Sequence, residues 1–430
     1  MILKIFLLSF FLLNIGFSQF QKPPWRVIAN PVDNLLKSVQ FINQDTGWAA
    51  GEGGTIIKTT DGGINWEVQN SNVESFIVDI FFLNENLGWA LTIRQLVPFG
   101  TTILHTTNGG DDWIAEDFPQ QSVIMNTIFF FDSLNGLIGG KNISKTTDGG
   151  QTWEVTNIDS SFVSGLPVYN FSFFSRDFGY ACGGFIDLAG VIWKTTNGGS
   201  NWTAEGVSPD QVFCMSVIDS THALCLSGDP EGFFGTGLIT TTDAGISWSY
   251  EELPFFGLSF SIGFRTNLDA WSASGFQFIH SKNGGETWTV EPTPNQSVIY
   301  ALDFVNNQTG YAVGDSGTVL KFVPPPVNVD VVSAEVTNFV LDQNYPNPFN
   351  PITKIKYSVP SVVSIGGRNL LVALKVYDVL GKEITTLVDE YKNPGDYEID
   401  FDGSNLPGGI YFYQLKTGGY SQTKKMVLLK

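Results

Sequence analysis

The sequence predicts an all-β protein, a seven-bladed β-propeller followed by a small Ig-like antiparallel β-sandwich, and three observations carry that prediction. Of 430 residues, 14% are aromatic, 46 are Gly and only 15% are charged, the balance of many short strands joined by tight turns. A turn phrase recurs along most of the chain. Beyond residue 323 the repeat pattern ends and a different vocabulary begins.

The recurring phrase is TTDGGINW (59–66), TTNGGDDW (106–113), TTDGGQTW (146–153), TTNGGSNW (195–202), TTDAGISW (241–248) and SKNGGETW (281–288). Its tryptophans, Trp66, Trp113, Trp153, Trp202, Trp248 and Trp288, are 47, 40, 49, 46 and 40 residues apart, a spacing that suits a four-stranded propeller blade. The turn residues Asp61, Asn108, Asp148, Asn197, Asp243 and Asn283 are expected to accept backbone N–H bonds locally. The glycines supply positive φ, and the Trp returns into the packed layer. A structural role is expected for all of them, because one carboxylate or amide per blade is spread round a ring instead of converging.

Upstream of each turn lies an alternating apolar segment, anchored at Phe41, Phe82, Phe130, Phe173, Val217, Phe264 and Phe304. A large apolar residue follows seven positions later, at Trp48, Trp89, Leu137, Tyr180, Leu224, Trp271 and Tyr311. Seven such copies face six turns. The missing outer strand is expected at the N-terminus, where Trp25-Arg26-Val27 mirrors Trp66-Glu67-Val68 at a distance of 41 residues. A ring closed by this strand leaves no open edge.

The TT[DN]GGxxW turns resemble the Asp-boxes of the BNR repeats of sialidases, and the longer pattern at 47–66 is similar to the propellers of photosystem II assembly and stability factors. The resemblance covers residues 25–323. The sialidase likeness implies an arginine triad and an Arg-containing motif near the start. The propeller part holds only Arg26, Arg94, Arg176 and Arg265, and Phe264-Arg265 is followed by Thr266-Asn267, so that assignment fails. Xyloglucanase-like hydrolases with the same turns use two propellers, and this chain has room for one. The photosystem likeness implies a docking surface that depends on basic residues, whereas this propeller is poor in Arg and acidic.

No catalytic, cofactor-binding or metal residues are assigned. His105 and His280 take the strand position of Lys58, Lys145 and Lys194, and His222 falls in a turn, so the histidines form no ligand set. No P-loop, nucleophile elbow or HExxH is present. Asp79 and Asp303, on inner strands, are expected to be solvated. Cys182, Cys214 and Cys225 read as small buried residues, with pairing of Cys214 and Cys225 left open. Residues 1–332 hold 13 Lys+Arg against 32 Asp+Glu, which excludes nucleic acid as a partner.

Residues 1–19 read as an export signal peptide, with an apolar run from Ile5 to Ile15 too short to span a bilayer, and no transmembrane segment is expected in the mature chain. The propeller is assigned to 20–323 and a Pro-rich linker to 324–338. In 339–430, alternation in IKYSV, LKVYDV, YEIDF and IYFYQL predicts the sandwich. This region resembles the type A C-terminal sorting domain of the type IX secretion system, through Asn344-Tyr345-Pro346-Asn347-Pro348-Phe349-Asn350-Pro351, Val376-Tyr377-Asp378-Val379-Leu380-Gly381, Leu406-Pro407-Gly408-Gly409-Ile410-Tyr411 and Lys424-Lys425. The resemblance implies the type IX machinery as a partner, and release from or attachment to the outer-membrane surface of a Gram-negative bacterium. The expected function is a non-catalytic binding or docking module for a protein or glycan ligand, with a divergent secreted glycoside hydrolase as the alternative.

Overall fold

The computed structural model describes residues 24–94, 97–159, 162–229, 235–324, 340–359, 370–379, 381–392, 395–417 and 420–430. The expected signal peptide and almost all of the expected linker lie outside them. The described residues are almost entirely strand and turn, and a single 3-10 turn at Glu52–Gly54 is the one helical element among them.

Among the described residues, the part up to residue 324 forms seven sheets in which, two outer strands excepted, each strand pairs antiparallel with its neighbour in sequence. The first is typical: Leu36–Phe41, Gly47–Gly51, Ile56–Thr59 and Glu67–Gln69, from inner to outer edge. The innermost strands of the other six are Phe76–Phe82, Met125–Phe130, Val168–Phe173, Val212–Val217, Ser259–Thr266 and Ile299–Phe304. The fourth sheet carries an extra outer strand, Asn157–Ile158, paired in parallel to Asn201–Ser208. In the seventh, the outer strand is Trp25–Val27, in the register Trp25 opposite Phe322 and Val27 opposite Leu320.

Packing between sheets uses stacked rings. At three joints the anchor aromatic of one sheet stacks against a large ring of the sheet before it: Trp48 on Phe82 with centroids 3.5 Å apart, Trp89 on Phe130 at 3.6 Å and Tyr311 on Phe41 at 3.6 Å. The last of these joins the seventh sheet to the first. The anchor ring also needs a flat floor, because a Cβ on Gly47 would fall 2.4 Å from the Phe41 ring. Trp66, Trp113, Trp153, Trp202 and Trp288 are buried, and Trp248 is half-buried against the core of the fifth sheet.

The turns lock the same joints. Within each, the Asp or Asn side chain accepts the backbone N–H four residues on, from Asp61 and Asn65 at 2.9 Å to Asn283 and Thr287 at 2.9 Å. The Thr or Ser opening the phrase, unremarked in the sequence, accepts the N–H of its second Gly, as Thr59 does from Gly63 at 2.9 Å. The first Gly then offers its carbonyl to the preceding sheet: Trp48 Nε1 donates to Gly109 at 3.0 Å, Lys145 Nζ to Gly198 at 2.9 Å, and Tyr311 Oη and Lys321 Nζ to Gly62 at 2.8 and 2.7 Å.

The C-terminal part forms two sheets. One holds Val340–Leu341, Ile352–Val359 and Gly395–Asp402, and the other Glu383–Lys392, Leu370–Tyr377, Gly409–Thr417 and Tyr420–Leu428. Both contribute to one core that includes Phe349, Ile355, Tyr357, Leu374, Tyr413 and Met426. The Asn-Tyr-Pro-Asn-Pro-Phe phrase is pinned to it: Asn344 is buried, its amide donates to Thr353 Oγ1 at 2.9 Å, and its backbone N–H donates to Tyr413 Oη at 2.7 Å.

Candidate functional site

All seven innermost strands border one cavity of about 510 Å³. Each carries a β-bulge at the same place, four residues before the anchor, between Leu36 and Ser38, Ile77 and Asp79, Met125 and Thr127, Val168 and Asn170, Val212 and Cys214, Ser259 and Ser261, and Ile299 and Ala301. A bulge leaves one residue out of the ladder and re-aims its side chain. The residues left out are Lys37, Val78, Asn126, Tyr169, Phe213, Phe260 and Tyr300, and every one of them lines the cavity.

This ring is uneven. Tyr169, Phe213, Phe260 and Tyr300 form an aromatic arc over four successive strands, with centroids 5.5 Å apart for Phe213 and Phe260 and 5.2 Å for Phe260 and Tyr300. The Lys37 ammonium stands 4.7 Å from the Phe260 centroid and 5.0 Å from that of Tyr300, close enough for cation–π attraction. Burial lowers the Lys37 pKa to about 8, opposed by the negative charge of Asp79.

Asp79 and Asp303 line the same cavity and are half-buried. Burial raises both to about 6, because a carboxylate loses hydration there. Their oxygens are engaged by neighbouring sheets. Asp79 accepts the Ile128 N–H at 2.9 Å and the Ser38 hydroxyl at 3.1 Å, and Asp303 accepts the Phe41 N–H at 2.7 Å. Similar clasps cross the other joints: Gln40 accepts from Phe82 N, Asn126 donates to Val168 O, Ser172 accepts from Val217 N, Cys214 donates to Ser259 O, and Ser261 accepts from Leu302 N. Side chains thus satisfy backbone groups that the short inner edges leave unpaired.

The sequence-selected turn residues do not meet. Asp61, Asn108, Asp148, Asn197, Asp243 and Asn283 each sit in a separate turn of a separate sheet, none of them lines the cavity, and Trp25 is buried against Trp271, Phe278 and Phe322 of the sixth and seventh sheets. Among the described residues, no group of three or more His, Cys, Asp or Glu could hold a metal ion. Cys182, Cys214 and Cys225 are buried free thiols, and burial pushes all three pKa values up. No helix among the described residues is long and apolar enough to cross a membrane.

Comparison with known proteins gives two assignments. Residues 343–429 match the family described as secretion system C-terminal sorting domain. Residues 17–117 and 65–220 match photosynthesis system II assembly factor YCF48. Among curated proteins, the chain is 30% identical to the chloroplastic photosystem II stability/assembly factor HCF136 of Arabidopsis thaliana over 21% of this chain and 24% of that one. It is 26% identical to the photosystem II assembly lipoprotein Ycf48 of Picosynechococcus over 31% of this chain. The match spans 53% of that lipoprotein's length.

Solved structures share the fold at low identity. YCF48 bound to D1 peptide superposes with a TM-score of 0.56 at 19% identity, covering 70% of this chain and 97% of that one. A xyloglucanase from Xanthomonas campestris gives 0.53 at 11% identity over 78% and 59%, and virginiamycin B lyase from Staphylococcus aureus 0.54 at 12% over 69% and 97%. The chain therefore joins a β-propeller resembling the photosystem II assembly factors to a secretion-system C-terminal sorting domain.

Proposed function

We propose that this protein is an exported, non-catalytic seven-bladed propeller that binds its ligand at the bulge ring of the central channel. Each of the seven sheets is one blade, and Trp25–Val27 closes the ring. The propeller occupies 20–323, between a signal peptide at 1–19 and a linker at 324–338, and residues 339–430 are an Ig-like sorting domain. That domain hands the chain to the type IX machinery, which leaves it outside the cell or on the outer-membrane surface of a Gram-negative bacterium.

One observation carries the binding role: the cavity presents polar side chains whose hydrogen-bonding groups are unengaged, while its carboxylates hold neighbouring sheets. Lys37 and the hydroxyls of Tyr169 and Tyr300 have no hydrogen-bond partner among the described residues, whereas Asp79 and Asp303 hold neighbouring blades. A relative's structure with a peptide bound is in keeping with a propeller used for binding.

The hydrolase alternative rests on two carboxylates of raised pKa lining one cavity, a feature of acid–base sites. Against it, both carboxylates are already engaged in holding neighbouring sheets, Asp79 by the Ser38 hydroxyl and the Ile128 N–H and Asp303 by the Phe41 N–H. The deciding experiment is a binding screen of the exported chain against glycans and peptides, run beside hydrolysis of sialosides and β-glucans. Binding without turnover is expected. Turnover abolished by Asp79→Asn or Asp303→Asn would make the protein an enzyme.

A further inference from the structure

The bulge ring has a definite chemical character. Its aromatic arc, Tyr169, Phe213, Phe260 and Tyr300, offers ring faces and two phenolic hydroxyls. Beside it, the side-chain amides of Asn170 and Gln211 also line the cavity without a hydrogen-bond partner among the described residues. Lys37 adds a donor of one fixed kind, and no carboxylate among the described residues lies within ion-pair distance of it. A cavity of about 510 Å³ is in the size range of small-molecule seats.

Three ligand classes fit poorly. A cation would meet the Lys37 ammonium, and a polyanion would approach a propeller whose net charge is strongly negative, which slows and weakens its association. An extended peptide is usually held by main-chain pairing along an open strand edge, and here the inner edges are already clasped to the next sheet. What remains is a ligand with apolar faces to lie on aromatic rings and many neutral hydroxyls to meet amides, phenols and an ammonium.

We propose that the bulge ring is a seat for a neutral carbohydrate, a hexose unit or short oligosaccharide whose ring stacks on Phe260 and Tyr300 while Lys37, Asn170 and Gln211 bond its hydroxyls. The proposal rests on the binding role above and names its ligand class. The hydroxyl partners come from the free side chains, and stacking uses the ring faces.

The test is calorimetric titration of the full exported chain with neutral oligosaccharides (cello-, laminari-, malto- and xyloglucan-derived), with oligogalacturonates, and with a pool of synthetic peptides. At least one neutral series should bind, with affinity changing less than about twofold between about 50 and about 500 mM salt. Phe260→Ala and Tyr300→Ala should each weaken binding about tenfold, and Lys37→Met severalfold, with unfolding midpoints near that of the parent. Tyr300→Phe, which keeps the face and removes the hydroxyl, should lose less than Tyr300→Ala. Failure of every neutral series to bind, binding indifferent to these substitutions, or preference for oligogalacturonates overturns the proposal. Peptide binding lost in the Phe260 and Tyr300 variants would overturn the carbohydrate seat and keep the binding role. Oligosaccharide turnover would overturn the binding role itself.

Discussion

Pairing of the N-terminal strand Trp25–Val27 with the seventh sheet is open to a direct energetic test. Trp25 is 2% exposed and lies in a cluster with Trp271, Phe278, Phe304 and Phe322, stacked on Phe278 with centroids 4.9 Å apart. Trp25→Ala removes that side chain from a packed core, a change that costs about 3–5 kcal/mol. For a domain of this size each kcal/mol moves the unfolding midpoint by about 2 °C, so the midpoint should fall by about 6–10 °C in scanning calorimetry of the full chain. Val27, on the same strand, is 54% exposed, and Val27→Ser should change stability by less than about 0.5 kcal/mol. A fall of under about 1 °C for Trp25→Ala, or equal effects from the two substitutions, would refute the claim that this strand seals the seventh sheet onto the sixth.

Other outcomes follow from single residues. Ala244 occupies the first glycine position of the fifth turn with φ of 60°, so Ala244→Gly should stabilise by about 1 kcal/mol, read as a higher denaturant midpoint. Asp303 is raised to about 6 by burial, so its protonation favours the folded state. The stability it contributes is full below its ordinary pKa and lost as pH rises through about 6. The stability difference between parent and Asp303→Asn should therefore shift against the parent by up to about 3 kcal/mol between about pH 4 and pH 7 in urea titrations. A flat difference would show that Asp303 is hydrated. Cys182, Cys214 and Cys225 are buried with raised pKa values, and a thiol reagent should label them only after denaturant is added.

Much of the architecture is carried by local chemistry and is legible without coordinates. The turn phrase needs only an Asp or Asn and following residues able to take positive φ, so it announces itself six times. The sorting-tail phrases are contiguous and specific enough to assign residues 343–429. Alternation reveals which strands are half-buried, because the pleat repeats every two residues. Even so, the Thr or Ser opening each turn, with its bond to the second Gly, passed unnoticed, since hydroxyl residues are common in loops and carry little signal alone.

The site belongs to the tertiary structure. Lys37 and Tyr300 are separated by most of the propeller sequence, and only the packing of the seventh sheet against the first sets the ammonium 5.0 Å from that tyrosine's centroid. A two-residue alternation does not identify the ring either, because the bulge in every inner strand adds a residue and breaks the period at the one position that matters. The engagement of Asp79 and Asp303 is likewise a property of the joints between sheets, where a side chain from one strand caps the open N–H of the next. Sequence determined the repeating unit and the sorting domain, because turns, pleats and sorting phrases are local. Tertiary structure decided which side chains are free to bind, because freedom depends on what every other strand in the ring has already engaged.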